Sequence, residues 1–155
     1  MRVIAGDAKG RTLKMVPGKG TRPITDKVKE SLFNILSWRI AETIFLDLFA
    51  GTGSVGIEAL SRGAEKAVFV EKANKAIHVI HENLRQTEMD PWATVLRTDA
   101  FSFLDHTQEQ FDIVYVAPPQ YKDMWSQALI ALDDRPILRP GGVIVAQIFP
   151  KEFKT

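Results

Sequence analysis

Five short apolar runs organise the chain from residue 43 onward: TIFLDLF (43–49), KAVFVE (66–71), ATVLRT (93–98), FDIVYVA (111–117) and GVIVAQIF (142–149). Most are hydrophobic at successive positions rather than at every second one, the pattern of strands covered on both faces. The segments between them carry helical spacing. Residues 53–62 run to a candidate C-cap at Gly63, and residues 74–88 repeat Ile77, Ile80 and Leu84 behind a candidate N-cap at Asn74. A third helix, at about 122–133, carries Met124, Trp125, Ala128, Leu129 and Leu132 on or near one face. Strand–helix alternation of this kind predicts an α/β protein with a Rossmann-like, doubly wound and mostly parallel sheet. Before it, TDKVKESLFNILSWRI places Val28, Leu32, Ile35 and Leu36 on one helical stripe, with Thr25 or Asp26 as cap. Further upstream, GDAKGRTLKMVPGKGTRP reads as a short hairpin or an extended arm. The 155 residues fit a single domain, with a basic N-terminal element over 1–24 and the α/β core over 25–155. ILRPGG (137–142) reads as a turn before the fifth strand.

Composition removes several classes of function. The chain has no cysteine, which excludes a disulfide framework, a thiolate metal site and a cysteine nucleophile. No apolar run approaches the roughly 18 residues needed to cross a bilayer, and MRVIAGDAKGR lacks the apolar core of a signal peptide. A cytoplasmic protein with no membrane partner is expected. The net charge of +1 conceals an asymmetry: residues 1–30 sum to +5 and the remainder to −4. Arg2, Lys9, Arg11, Lys14 and Lys19 thus form a candidate polyanion-binding segment, the alternative being a solvated basic arm.

The chemistry concentrates after the first strand. Gly51-x-Gly53-x-x-Gly56 follows TIFLDLF directly and opens a helix, the setting in which glycines serve a tight turn, close ligand approach and helix–strand packing. Glu71, 15 residues after Gly56, ends the second strand, where a carboxylate can accept hydrogen bonds from both hydroxyls of a ribose. Asp47 distinguishes between nucleotides. Beside the glycine loop it would repel a pyrophosphate, but it would attract the sulfonium and ammonium of S-adenosylmethionine or order the loop through backbone amides. An NAD-dependent oxidoreductase is therefore the weaker reading. Asp99, in RTDAF after the third strand, stands where an adenine amine could be met, and also where it could cap a short helix at 100–105.

With these residues in line, the sequence resembles the class I S-adenosylmethionine-dependent methyltransferases, and more narrowly the RsmD family, which methylates the N2 amine of one guanine in 16S ribosomal RNA. MRVIAGDAKGRTLK, TRPITDKVKESLFNIL, DLFAGTGSVGIEALSRGA, VFVEK and LRPGGVIV stand in the family's order, the segments Thr21–Leu36 and Asp47–Ala64 being the specific ones. The resemblance implies a class I fold and a cofactor site lined by Asp47, Gly51, Gly53, Glu71 and Asp99. Arg22, Pro23 and Thr25 would lie in an N-terminal element closing over cofactor and substrate. The implied partner is 16S rRNA or an assembling small subunit, met by a monomer without a metal. Two departures stand out. The sequence stops soon after its fifth strand, where a class I fold usually adds a closing antiparallel strand pair, so either a truncated chain or an exposed sheet edge is expected. The family's acidic or amide residue, two prolines and aromatic after the fourth strand are replaced by Ala117, Pro118, Pro119, Gln120 and only then Tyr121.

That motif has a chemical logic. The lone pair of a base amine is delocalised into the ring, so an acceptor side chain and a proline carbonyl that bind its two hydrogens can hold the nitrogen toward tetrahedral geometry. A neighbouring aromatic can stack on the base. Ala117 has no side-chain acceptor, which leaves the Pro118 carbonyl with Gln120 or Tyr121 as substitutes, a weakened or inactive enzyme, or prolines that merely end a strand. His78 and His81, three apart, lack an acidic or thiolate partner nearby and are read as solvent-facing or packing residues. Trp38, Trp92 and Trp125 are expected to be core or helix-edge anchors.

Overall fold

In the computed structural model, which describes residues 1–18, 24–118 and 124–147, the five apolar runs form one wholly parallel sheet. The strands are β1 (Ile44–Leu48), β2 (Lys66–Glu71), β3 (Ala93–Arg97), β4 (Phe111–Val116) and β5 (Leu138–Ala146), in the order β3-β2-β1-β4-β5. The helices are α1 (Asp26–Leu36), α2 (Ser54–Ser61), α3 (Asn74–Thr87), α4 (Ala100–His106) and α5 (Met124–Asp134). All five residues of β1 are buried because alternate side chains feed two cores. Phe45 joins Phe33, Ile57, Phe69 and Ile80 on the face covered by α1, α2 and α3. Leu46 and Leu48 join Leu104, Val114 and Leu132 on the face covered by α4 and α5.

The N-terminal segment is a hairpin rather than an extended arm. Arg2 bridges Thr12 in antiparallel fashion, Val3 N–H donates to the Arg11 carbonyl at 2.9 Å, and Leu13 N–H to the Met1 carbonyl at 2.9 Å. Val3, Ala8 and Leu13 are buried in the first core. Asn83 on α3 fastens the end of the hairpin. Its Oδ1 accepts from Lys14 N–H at 2.7 Å, and its Nδ2 donates to the carbonyls of Lys14 at 3.1 Å and Thr52 at 3.0 Å.

Three expectations need correction. The buried stripe of α1 is Lys29, Phe33 and Leu36, while Ile35 is 81% exposed and Val28 41%. Asn74 is the first residue of α3, whose N-cap is Ala73, and its side chain accepts from Arg97 instead. ILRPGG is not a turn ahead of the strand: β5 begins at Leu138, with a register irregularity opposite Phe111–Ile113 and with Gly142 packed against the Asp112 carbonyl. Gly63 does end α2, with φ +109° just past the C-cap Arg62, and Asp99 does cap α4. Among the described residues β5 pairs only with β4 and is a sheet edge. No described helix is long and apolar enough to cross a membrane.

Asn83 is wholly buried and serves three backbone groups, so truncation strands them. Asn83→Ala is expected to lower the unfolding free energy by about 2–4 kcal/mol, read from the urea midpoint at constant slope. A loss under about 0.5 kcal/mol, the range of an ordinary surface substitution, would show that the hairpin is held without it.

Candidate functional site

β1 and β4 are neighbours although two strands separate them in sequence, so the chain reverses its direction across the sheet there and leaves a crevice at the carboxyl ends of these strands. The glycine loop fills one wall of it. Phe49, leaving β1, has φ +66°, a sparsely populated conformation for an aromatic residue, and its ring packs edge-on against Phe101 at 6.2 Å. Gly51 follows at φ +58°, and a Cβ there would meet nothing within 4 Å, so the backbone is open to an approaching ligand. At Gly56 the reason for glycine is packing: a Cβ would lie 2.4 Å from the Phe69 ring on β2.

Carboxylates close the loop. Asp47 Oδ2 accepts from Gly56 N–H at 3.0 Å, while the two oxygens of Glu71 accept from Gly51 N–H and Ala73 N–H, each at 2.9 Å. Thr98 N–H donates to the Glu71 carbonyl at 3.1 Å, which brings the end of β3 and the adjoining Asp99 to the same rim. Asp99 Oδ2 takes both capping bonds, from Phe101 N–H at 3.0 Å and Ser102 N–H at 3.1 Å. Its Oδ1 receives none from the described residues and is available to an outside donor. Burial, aided by the nearby Glu71 charge, pushes the Asp47 carboxyl up to about 8, against the opposing Gly56 amide. Its register neighbour on β4, Tyr115, is likewise pushed up by burial and by Asp47, and donates its hydroxyl to Gln147 Oε1 at 3.3 Å. Such a rim favours a ligand that carries positive charge together with hydroxyl and amine donors.

Of the proline motif, Ala117 is half-buried and packs on the first core, and Pro118 is buried where β4 leaves the sheet beside β1. Pro119, Gln120, Tyr121, Arg22, Pro23 and Lys19 lie outside the described residues. Trp125, near the start of α5, has a buried indole N–H with no acceptor among the described residues. Thr25 caps α1, its hydroxyl accepting from Val28 N–H at 3.2 Å. The basic candidates divide. Arg2 faces Asp26 at 4.0 Å, Arg11 reaches the Gln86 carbonyl at 2.6 Å and Glu88 at 3.3 Å, and Lys14 pairs with Glu82. These pairs are exposed and therefore weak and salt-labile, although Lys14 holds the Glu82 carboxyl below its ordinary range. Lys9 is exposed.

His78 and His81 are exposed on α3, and no group of three potential metal ligands occurs among the described residues. Trp38 is not a core residue: it is 81% exposed with the Arg39 guanidinium 5.3 Å over its ring. Three supporting residues escape a reading by motif. Lys29 and Glu58 are wholly buried as an ion pair at 3.3 Å, and Asn83 braces the Thr52 carbonyl within the glycine loop. The available signal was a lysine four residues before Phe33 and seven before Leu36, a charge inside an apolar stripe.

A parallel sheet in this order, with a glycine loop at its first crossover and acidic residues at successive strand ends, is the class I methyltransferase fold. The model of the family described as "Conserved hypothetical protein 95" matches residues 1–152. The chain belongs to that family, the RsmD-like methyltransferases. It is 45% identical to YlbH of Bacillus subtilis (strain 168), covering 95% of this chain and 82% of that one. It is 37% identical to "Ribosomal RNA small subunit methyltransferase D" of Haemophilus influenzae, over 95% and 78% of the two chains. Among solved structures, yhhF of Escherichia coli superposes with a TM-score of 0.83 at 34% identity, over 94% of this chain and 78% of that one.

The Asp47 carboxyl keeps its proton to about pH 8 when folded and loses it near pH ~4 when unfolded. Between these values the folded chain binds the additional proton, so stability falls as pH rises. This contribution is full below pH ~4 and gone above about 8. Between pH 5 and 8, urea unfolding should show a steeper loss for the wild type than for Asp47→Asn. Parallel profiles would mean that Asp47 is already ionised in the fold.

Proposed function

We propose that this protein transfers a methyl group from S-adenosylmethionine to the exocyclic N2 amine of a guanine in 16S ribosomal RNA. The observation that carries the reading is the rim of two carboxylates, Glu71 and Asp99, beside an open glycine loop braced from within by the buried Asp47, with no cation among the described residues bonded to them. Such a rim opposes a dinucleotide pyrophosphate and suits a ligand bearing sulfonium and ammonium groups. Glu71 would accept from the ribose hydroxyls and Asp99 Oδ1 from the adenine amine. Asp47, buried and protonated up to about pH 8, orders the loop by accepting from Gly56 N–H. The bound cofactor supplies an electrophilic methyl group on sulfur.

The chain's own task is then to aim the guanine amine. The Pro118 carbonyl and a group from Gln120 or Tyr121 would accept its hydrogens, tilting the nitrogen lone pair toward the methyl carbon. The hairpin lysines and arginines, the exposed Lys9 among them, would meet RNA phosphates. Ribosomal RNA as substrate is supported by the activity named for the Haemophilus influenzae relative. A second reading, a member that binds cofactor and RNA but turns over slowly, is favoured by one observation, the absence of a side-chain acceptor at Ala117.

Calorimetry should show saturable binding of S-adenosylmethionine and none of NAD. Asp99→Ala should weaken the former about tenfold, the value of one hydrogen bond to a charged group. In a tritiated-methyl assay on under-methylated small subunits, Ala117→Asp should raise the rate by about tenfold. Binding of NAD alone would sink the methyltransferase reading. An unchanged rate would show that Ala117 does not mark a missing acceptor.

A further inference from the structure

No motif read from the sequence assigns Lys29 a role, yet it stands where α1, the hairpin and the head of α2 meet. Its ammonium donates to the Arg2 carbonyl at 2.7 Å and to Ser54 Oγ at 2.9 Å, and sits 3.3 Å from Glu58 Oε1. Three donors meet three acceptors with no solvent access. The acceptors lie on two elements, the hairpin and α2. Arg2 is on the hairpin, Glu58 is the core of α2, and Ser54 is the first residue of α2, immediately after Gly53. Glu58 in turn accepts from Ile4 N–H at 2.9 Å and Ala5 N–H at 3.0 Å.

Placing an ion pair here is costly in itself. Burial pushes the Lys29 ammonium toward its neutral form despite Glu58, and replacing both partners together by uncharged side chains of similar volume would remove that penalty, whereas replacing one alone would not. What an apolar side chain cannot do is hold Ser54 and Arg2 at fixed distances from one point.

We propose that Lys29 is a positioning residue for the cofactor loop, its ammonium fixing the head of α2 against the docked hairpin. The assignment rests on the methyltransferase reading and adds to it that cofactor affinity depends on hairpin docking through this side chain.

The test compares wild type, Ser54→Ala and the charge-neutral double variant Lys29→Met/Glu58→Gln, using S-adenosylmethionine as probe. Calorimetry should show the dissociation constant rising about threefold in Ser54→Ala and about tenfold in the double variant. Adding Ser54→Ala to the double variant should change it no further, because the two lesions break one linkage. In the methyl-transfer assay KM for S-adenosylmethionine should rise in parallel, while kcat at saturation stays within about twofold and thermal unfolding confirms a folded chain. A purely structural role would lower the melting temperature and leave cofactor affinity within about twofold of wild type, and that result overturns the assignment. Should the double variant fail to fold, Ser54→Ala decides alone, and unchanged affinity in it overturns the assignment. A wild type that binds no S-adenosylmethionine sinks the methyltransferase reading and this inference with it. A wild type that binds beside variants that bind equally well sinks the inference alone.

Discussion

A lysine and a glutamate with no access to water, 3.3 Å apart, are the point on which one whole face of this molecule depends. Neither charge could be there alone, since removing one partner of such a pair typically costs about 3–5 kcal/mol. Their remaining valences recruit everything nearby. Arg62 closes on Glu58 Oε2 at 2.8 Å while its guanidinium lies 4.9 Å over the Phe33 ring, and the hairpin backbone supplies the rest. The hairpin is therefore part of the fold, although its composition resembles that of a loose basic tail.

The same face is continuous with the site. Ser54 takes one Lys29 bond, Asn83 takes the Thr52 carbonyl, Glu71 takes Gly51 N–H and Asp47 takes Gly56 N–H. The glycine loop is thus tied at four places by side chains from α1, α3, β2 and β1. A loop held in this way meets a ligand with little ordering left to do. Acidic groups surround it because each accepts backbone N–H bonds, and the cost of burying one of them is visible in the displaced protonation of Asp47.

Much of this was legible in the chain. Strands buried on both faces announce themselves by unbroken apolar runs, and the glycines, Glu71 and Asp99 stand at spacings that only a strand–loop–helix unit explains. α1 misled for a physical reason. Val28, Leu32, Ile35 and Leu36 form as good an apolar stripe as Lys29, Phe33 and Leu36, and periodicity ranks a lysine as solvent-facing until its partner is known. That partner, Glu58, lies 29 positions away in another helix. Asn74 misled because a side chain suited to capping found a better partner in Arg97. LRPGG misled because two glycines can also shape the irregular start of an edge strand. The Ala117 departure was visible at once, since a missing acceptor is a matter of composition and needs no coordinates.

The hairpin's docking bonds reach from Ile4 and Ala5 to Glu58, 54 and 53 positions onward, and from Ala8 to Ser61, 53 positions onward. During synthesis its apolar residues Val3 and Leu13 must wait until α2 has been made and folded. Bonds of such long range form late, and a peripheral unit that pairs with no strand of the sheet can open apart from it. The amides of Ile4, Ala5 and Ala8 consequently belong to a smaller cooperative unit than the sheet, and would exchange with solvent through detachment of the hairpin while β1, β2 and β4 stay paired.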